Sequence, residues 1–440
     1  MPLAAEVFAR RRRRFMDAIG DSAAAIFPAA PEAVRSNDTE YRYRQQSDFQ
    51  YLTGFPEPGA VCVLLPGHPT DEYVLFVRPR DRERETWTGR RAGVDGAIER
   101  WGASMAHPVD QLDQKLPEYL VGRERIYYAL DREESFNQRV VRWVAQLQAA
   151  RPRTGSGPSG LLDPREIVHE MRVTKDADEI ALMRRAIAIT AEAHDAAMRH
   201  VRPGCYEYEV EALLDYTFRR SGASGPAYPS IVASGANATV LHYINNDRSM
   251  AAGELLLIDA GAEYECYCAD ITRTMPVGRA FEDRQRALYA LVLHAQLAAI
   301  EMIRPGVRID DVHQRAVSVL VDGLLDLGLL NGSADEAREK ELYKPFYMHR
   351  TSHWLGMDVH DVGRYKIAEQ ARALEPGMVL TVEPGLYIAD HLEDVDPAWH
   401  GLGVRIEDDV LVTAEGHEVL SVAIPKAIDT LEGLRRAALD

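Results

Sequence analysis

Cysteine is scarce. The 440 residues hold four, Cys62, Cys205, Cys266 and Cys268, at irregular spacings. So few thiols argue against a disulfide framework or a zinc knuckle and point to a reducing compartment. Long apolar runs are missing too, since none approaches the ~18 residues of a membrane span. Basic charge is in deficit, with 51 Lys and Arg against 68 Asp and Glu and a formal net charge of −17. That balance argues against nucleic acid or an anionic membrane as partner, because both want a basic face. It is compatible with a substrate that carries a positive amino terminus. The one stretch resembling an export signal, Arg10 to Arg14 followed by Phe15 and Met16, lacks an uncharged apolar sequel because Asp17 and Asp21 interrupt it. It reads as an arginine-studded first helix, and the protein as cytoplasmic.

What is present fits a soluble enzyme of two domains: 46% hydrophobic and 27% charged residues in a chain too long for one core. Residues 4–19 carry an apolar stripe at Val7, Phe8, Phe15 and Ile19, which predicts a helix. Strands are predicted at 23–27, 59–65 and 72–77, and helices at 109–120 and 134–149, an alternation that marks an α/β domain. The polar, aromatic segment 41–54 is expected to line a surface or interface. Residues 151–164, rich in Pro, Gly and Ser, form the best linker candidate. A long helix is expected from Thr174 as N-cap to about Met198, with Asp176, Asp178 and Glu179 in its first turn. Further helices at 208–220, 281–302 and 309–327 alternate with strand-rich stretches, so the second domain reads helix–helix–strands twice.

The chemistry collects at strand ends. Leu255-Leu256-Leu257-Ile258 runs into Asp259, and eleven residues on Asp270 opens Ile271-Thr272-Arg273-Thr274. A hairpin folding back near Tyr264-Glu265 would set the two aspartates roughly opposite each other, where like charges destabilise a sheet. Something cationic should therefore lie between them. His353 (in Ser352-His353-Trp354), Glu383 (in Val382-Glu383-Pro384-Gly385) and Glu407 (in Arg405-Ile406-Glu407) stand at similar edges of apolar runs. Each alone is ordinary. Together, four carboxylates and an imidazole could share a dry pocket only with counter-charge, which two divalent cations would supply. Oxygen-rich ligation with one imidazole suits Mn²⁺, Fe²⁺, Co²⁺ or Zn²⁺. Two such ions roughly 3.5–4 Å apart would activate a shared water.

These motifs, with Ile258-Asp259-Ala260-Gly261, make the chain resemble the bacterial Xaa-Pro aminopeptidases (aminopeptidase P), which are pita-bread metallopeptidases. The resemblance covers nearly the whole chain, from Arg44-Gln45 to Asp409. It implies a creatinase-like α/β N-terminal domain over residues 1–173 and a duplicated ααββ pita-bread catalytic domain over residues 174–440. It implies a dinuclear centre, with Mn²⁺ as the metal: Asp259 on one ion, Asp270 and Glu407 bridging, His353 and Glu383 on the other. The implied reaction is release of the N-terminal residue before a proline by a metal-bridging hydroxide. Glu383 would also move the proton, and His242 and His360 would orient substrate and steady the tetrahedral intermediate. His349, Tyr387 and Arg405 match the proline side of the pocket. Trp87 matches a tryptophan brought from the N-terminal domain, and Asp38 is expected to reach a neighbouring subunit in a homo-oligomer, a dimer or tetramer. Two departures stand out: Arg350 where a small residue is expected, and Ile244-Asn245-Asn246 where the pattern is more acidic.

Proline specificity has a chemical basis. The scissile nitrogen of an Xaa-Pro bond has no N–H and a fixed φ, so a site relying on metals, histidines and a shaped ring pocket keeps its grip where N–H-binding sites lose theirs. A prolidase, restricted to dipeptides, would keep the same five ligands. A non-catalytic pita-bread module would be expected to have lost some of them. Creatinase-type hydrolysis is disfavoured, since that branch lacks these ligands.

Overall fold

The structure, a computed structural model, describes residues 3–130 and 133–440. It divides into one unit ending at Met171 and a second from Arg172 to Asp440.

The first unit opens with the helix Ala5–Ile19. Val7, Phe15, Met16 and Ile19 are buried on one face, and Arg11 and Arg12 are buried with them. Their guanidinium groups lie over the rings of Tyr51 and Tyr73, at 4.1 and 3.8 Å from the centroids. Arg12 also donates to the Leu52 carbonyl at 2.9 Å. The arginine run is thus tied into the fold, as stems and cation–π contacts allow. A six-stranded mixed sheet follows, in the order Met105–Pro108, Tyr73–Val77, Val61–Leu64, Ala23–Pro28, Arg125–Tyr127, Gly160–Leu162. The helices Leu112–Leu120 and Glu134–Thr154 cover it through Leu116, Phe136, Val140 and Trp143.

One expectation holds only in part and another fails. Segment 41–54 lies on the surface at Tyr41, Arg42 and Arg44, but Ser47–Thr53 is a helix with Ser47, Asp48, Phe49, Tyr51, Leu52 and Thr53 buried, capped by the Gln46 side chain. Its polar groups are satisfied internally, as with Tyr51 donating to the Met171 carbonyl at 3.2 Å. Residues 151–164 are not a linker. The helix runs through Pro152 to Thr154, Gly155 ends it at φ 74°, and Gly160–Leu162 joins the sheet. The glycine supplies a left-handed cap. Proline and glycine here punctuate elements within one unit.

The second unit repeats its element order. Helices Ala177–His200 and Glu207–Arg220 precede a three-stranded sheet of Ile231–Ser234, Leu255–Asp259 and Thr272–Pro276. Helices Asp283–Met302 and Ile309–Asp326 precede another, of Val379–Val382, Asp408–Val412 and His417–Val419. A two-stranded ladder pairs Gly385–Ile388 with Leu402–Arg405. The long first helix is capped by Asp176, not Thr174: Asp176 accepts from the Glu179 N–H at 3.0 Å while Glu179 reaches back to the Asp176 N–H at 3.1 Å. This reciprocal box satisfies two donors at once, whereas Thr174 is held in an extended bridge to Met378. Ile300, Ile309, Trp354, Leu380 and Val410 form the core beneath the second sheet. Among the described residues no helix is long and apolar enough to cross a membrane.

Candidate active site

Both sheets end in acids that face one cavity of about 770 Å³, lined by His242, Asp259, Asp270, His349, His353, His360, Glu383, Arg405 and Glu407 among others. Leu255 to Ile258 are at most 2% exposed, so Asp259 leaves the core at the last residue of a buried strand. Its register partner is Thr272, not Asp270. The hairpin turn lies at Glu265 and Cys266, both with positive φ, and the same register sets Asp270 across from Gly261. The aspartates are therefore diagonal rather than opposed, which lessens their repulsion. A Cβ on Gly261 would lie 1.7 Å from the Ala269 carbonyl oxygen, so only glycine permits this approach.

The Tyr228 hydroxyl lies 2.6 Å from Asp259 Oδ1 and 2.5 Å from Asp270 Oδ1, linking the two carboxylates. Arg405 donates to Asp259 Oδ2 at 2.6 Å, to the Tyr387 hydroxyl at 3.0 Å and to Thr272 Oγ1 at 3.1 Å. Thr272 in turn donates to Glu407 Oε2 at 2.7 Å. His353 presents Nε2 at 3.3 Å from Asp270 and 3.5 Å from Glu383, while its Nδ1 faces the Trp354 carbonyl at 3.0 Å. Asp270, His353 and Glu407 each offer a ligand atom, all within 4.8 Å of one another, a candidate metal-binding cluster.

The electrostatics are those of crowded acids. Burial, reinforced by Asp270, raises Asp259 against the pull of Arg405. Burial and then Asp270, Glu383 and Asp259 drive Glu407 well above the carboxylate range. Burial lifts Glu383 to about 7, although His353 and Arg405 oppose it. For His353, burial disfavours the charge, but Asp270 and Glu383 overcome it and raise the pKa to about 9. One arginine and one histidine are too little counter-charge for four carboxylates, of which Asp259, Asp270 and Glu407 are buried and Glu383 partly so. A donor set of carboxylate oxygens and one imidazole fits hard or borderline divalent ions.

The histidines outside this cluster stand at the rim and on one wall. His360 is exposed, its ring 4.4 Å from that of His353 and nearly perpendicular, and His242 is exposed and lines the same cavity. His349 Nε2 lies 2.9 Å from the Tyr387 hydroxyl, and burial and then Arg405 push its pKa down to about 3, so it is neutral. Arg350 lines the rim and pairs with Asp310. Asn246 is fully buried, bonding Val232 and Ser230, so that departure stabilises a loop. Trp87 and Asp38 belong to the first unit and are exposed there, Trp87 to 85%. Sequence reasoning missed Tyr228 and Thr272, and also Asp409, whose Oδ2 accepts from the Asp270 N–H at 3.2 Å. Thr272 sits in the motif that Asp270 opens and Asp409 beside Glu407, so both carried a signal by position; Tyr228 belongs to no spacing pattern.

Residues 181–414 match the model of metallopeptidase family M24, and residues 8–127 that of the aminopeptidase P N-terminal domain. The chain belongs to metallopeptidase family M24. As an M24 member it is a hydrolase, and the expected architecture, an α/β N-terminal domain before a pita-bread catalytic domain, is the one these matches carry. The Xaa-Pro aminopeptidase of Escherichia coli K12 is 44% identical over 432 residues, 98% of each chain. The solved aminopeptidase PepP of Pseudomonas aeruginosa superposes with a TM-score of 0.97 at 48% identity, covering 100% of this M24 chain and 99% of that one. E. coli aminopeptidase P with the inhibitor Pro-Leu gives 0.96 at 43% identity, with both chains fully covered.

Proposed function

We infer that this hydrolase releases the N-terminal residue from peptides whose second residue is proline, using two divalent ions, with Mn²⁺ as the metal. The observation that carries this reading is the convergence of four carboxylates and His353 on one cavity with unbalanced negative charge. Asp259 would hold one ion, Asp270 and Glu407 would span both, and His353 and Glu383 would hold the other. When bound, such ions polarise the scissile carbonyl and lower the pKa of a shared water toward about 7.

The chain's own groups do the rest. Glu383, which lines the cavity beside His353, takes a proton from the attacking water and passes it to the proline nitrogen, which has none of its own. His242 and His360 donate hydrogen bonds to the carbonyl oxygen as it gains charge, an effect worth roughly 3 kcal/mol per donor in comparable sites. Neutral His349, with Tyr387 and Arg405, forms a firm wall for the proline ring. The E. coli relative takes Pro-Leu as an inhibitor; a peptide led by proline is what this reaction would release, which favours an aminopeptidase over a prolidase. A homo-oligomer in the cytoplasm completes the reading.

Stripped by a chelator and then given Mn²⁺, the protein should cut Arg-Pro-Pro after the arginine only when loaded. Cleavage confined to Xaa-Pro dipeptides would make it a prolidase. No Mn²⁺-dependent cleavage of either would leave a peptide-binding module.

A further inference from the structure

The stretch between His353 and Asp361 carries two of the site's histidines and is folded into a closed loop. The Asp361 N–H donates to the Trp354 carbonyl at 2.9 Å, joining its ends. The Asp361 carboxylate turns inward and is 1% exposed. It accepts from Arg172 Nη2 at 2.5 Å and from Lys175 Nζ at 3.0 Å, both side chains equally buried. Arg172 also grips the loop at Asp358 Oδ2, at 2.7 Å.

The loop packs directly on this ion cluster. A Cβ on Gly356 would come within 2.1 Å of Asp361 Oδ2 and 2.8 Å of Lys175 Cε. On its other side the Gly356 carbonyl accepts from the Cys268 N–H at 2.8 Å, two residues before Asp270. His360, which precedes Asp361, stands exposed at the rim. Among the described residues nothing is hydrogen-bonded to its ring. Its direction is therefore set by its edge contact with the His353 ring and by its backbone, and that backbone is held by the next residue.

We propose that Asp361, clamped by Arg172 and Lys175, is a positioning residue that aims His360 at the substrate carbonyl. The proposal rests on the role inferred above for His360. A misplacement of about 1 Å in such a donor costs on the order of 10²-fold in rate, so a buried, doubly held carboxylate next to it has a kinetic consequence. The cluster's cations come from the first residues of the second unit, Arg172 and Lys175, which gives that segment a hold on the catalytic rim.

Asp361→Asn keeps the shape and removes the charge. With Mn²⁺ and Arg-Pro-Pro it should lower kcat about 10- to 100-fold, leave KM within about 3-fold and retain wild-type Mn²⁺ content. In a His360→Ala background the same change should cost less than about 3-fold, because residues that act through one another are non-additive. Losses that multiply, a fall in bound Mn²⁺ or an unchanged kcat would overturn the proposal. Should Asp361→Asn not fold, Lys175→Met, which leaves Arg172 in place, is read the same way. It should lower kcat about 10-fold alone and negligibly in His360→Ala, and multiplying losses or an unchanged kcat again overturn it. A wild-type protein that fails to cut Arg-Pro-Pro under any metal condition overturns the aminopeptidase reading itself, and this proposal with it.

Discussion

Two clusters of buried carboxylates lie within one unit and behave oppositely. Asp408 is fully buried but receives Arg273, Gln296, Lys426 and Ser421, and although burial opposes ionisation these partners hold its pKa down at about 2. One residue away, Glu407 is equally buried yet driven well above the carboxylate range, because its other charged neighbours are mainly acids. Asp361, between Arg172 and Lys175, falls with Asp408; Asp259 and Glu383 fall with Glu407. Burial is common to both groups, so counter-charge makes the difference. Where the fold needs a buried acid for its own integrity it supplies the cation, and where it leaves the acids unbalanced a cation from outside is the natural complement.

The largest test removes an acid from the unbalanced group. Glu407→Ala should abolish turnover of Arg-Pro-Pro, by more than about 10³-fold, while the folded state survives, since one source of repulsion is gone. Detectable activity together with wild-type Mn²⁺ content would break the comparison. The next removes an acid from the balanced group. Asp408→Asn leaves Arg273 and Lys426 without their buried partner and should destabilise by about 3–5 kcal/mol, read as a lower urea midpoint.

The smallest effect concerns a buried base with no partner charge. His194 is fully buried, its Nε2 3.1 Å from the Ala260 carbonyl and its Nδ1 unbonded, and burial pushes its pKa down to about 4. The unfolded chain protonates this histidine near 6.5 while the folded chain resists until about 4. Stability from His194 is therefore complete above pH 6.5 and falls as pH drops through that window, by on the order of 3 kcal/mol in all. His194→Gln should show a shallower loss between pH 7 and 4.5 in urea unfolding. An identical slope would show that burial without counter-charge is not what governs this group.

Much of this was legible in the sequence, and the reasons are local. Helix 309–326 differs from its expected span by one residue at one end, because its apolar spacing is uninterrupted. The acids at 259, 383 and 407 were visible as charges terminating apolar runs. Long-range placement was not. The hairpin register depended on a left-handed turn at Glu265 and Cys266, residues with no turn signature, and so the aspartates were expected face to face. Asp176 displaced Thr174 as cap because two reciprocal hydrogen bonds exceed one. Within segment 41–54, exposed at Tyr41, Arg42 and Arg44, the burial of helix 47–53 was not legible because its side chains find partners that are distant in sequence, such as the Arg11 guanidinium over Tyr51. Tyr228, which joins two carboxylates, had no periodic context at all.

The glycine at 261 has a mechanical consequence. With the Ala269 carbonyl filling the space a side chain would need, the two arms of this turn cannot slide past each other without first parting. The separation between the first two acids is thereby written into main-chain contact, and it would persist through any exchange of the surrounding apolar side chains that spared that one hydrogen-sized gap.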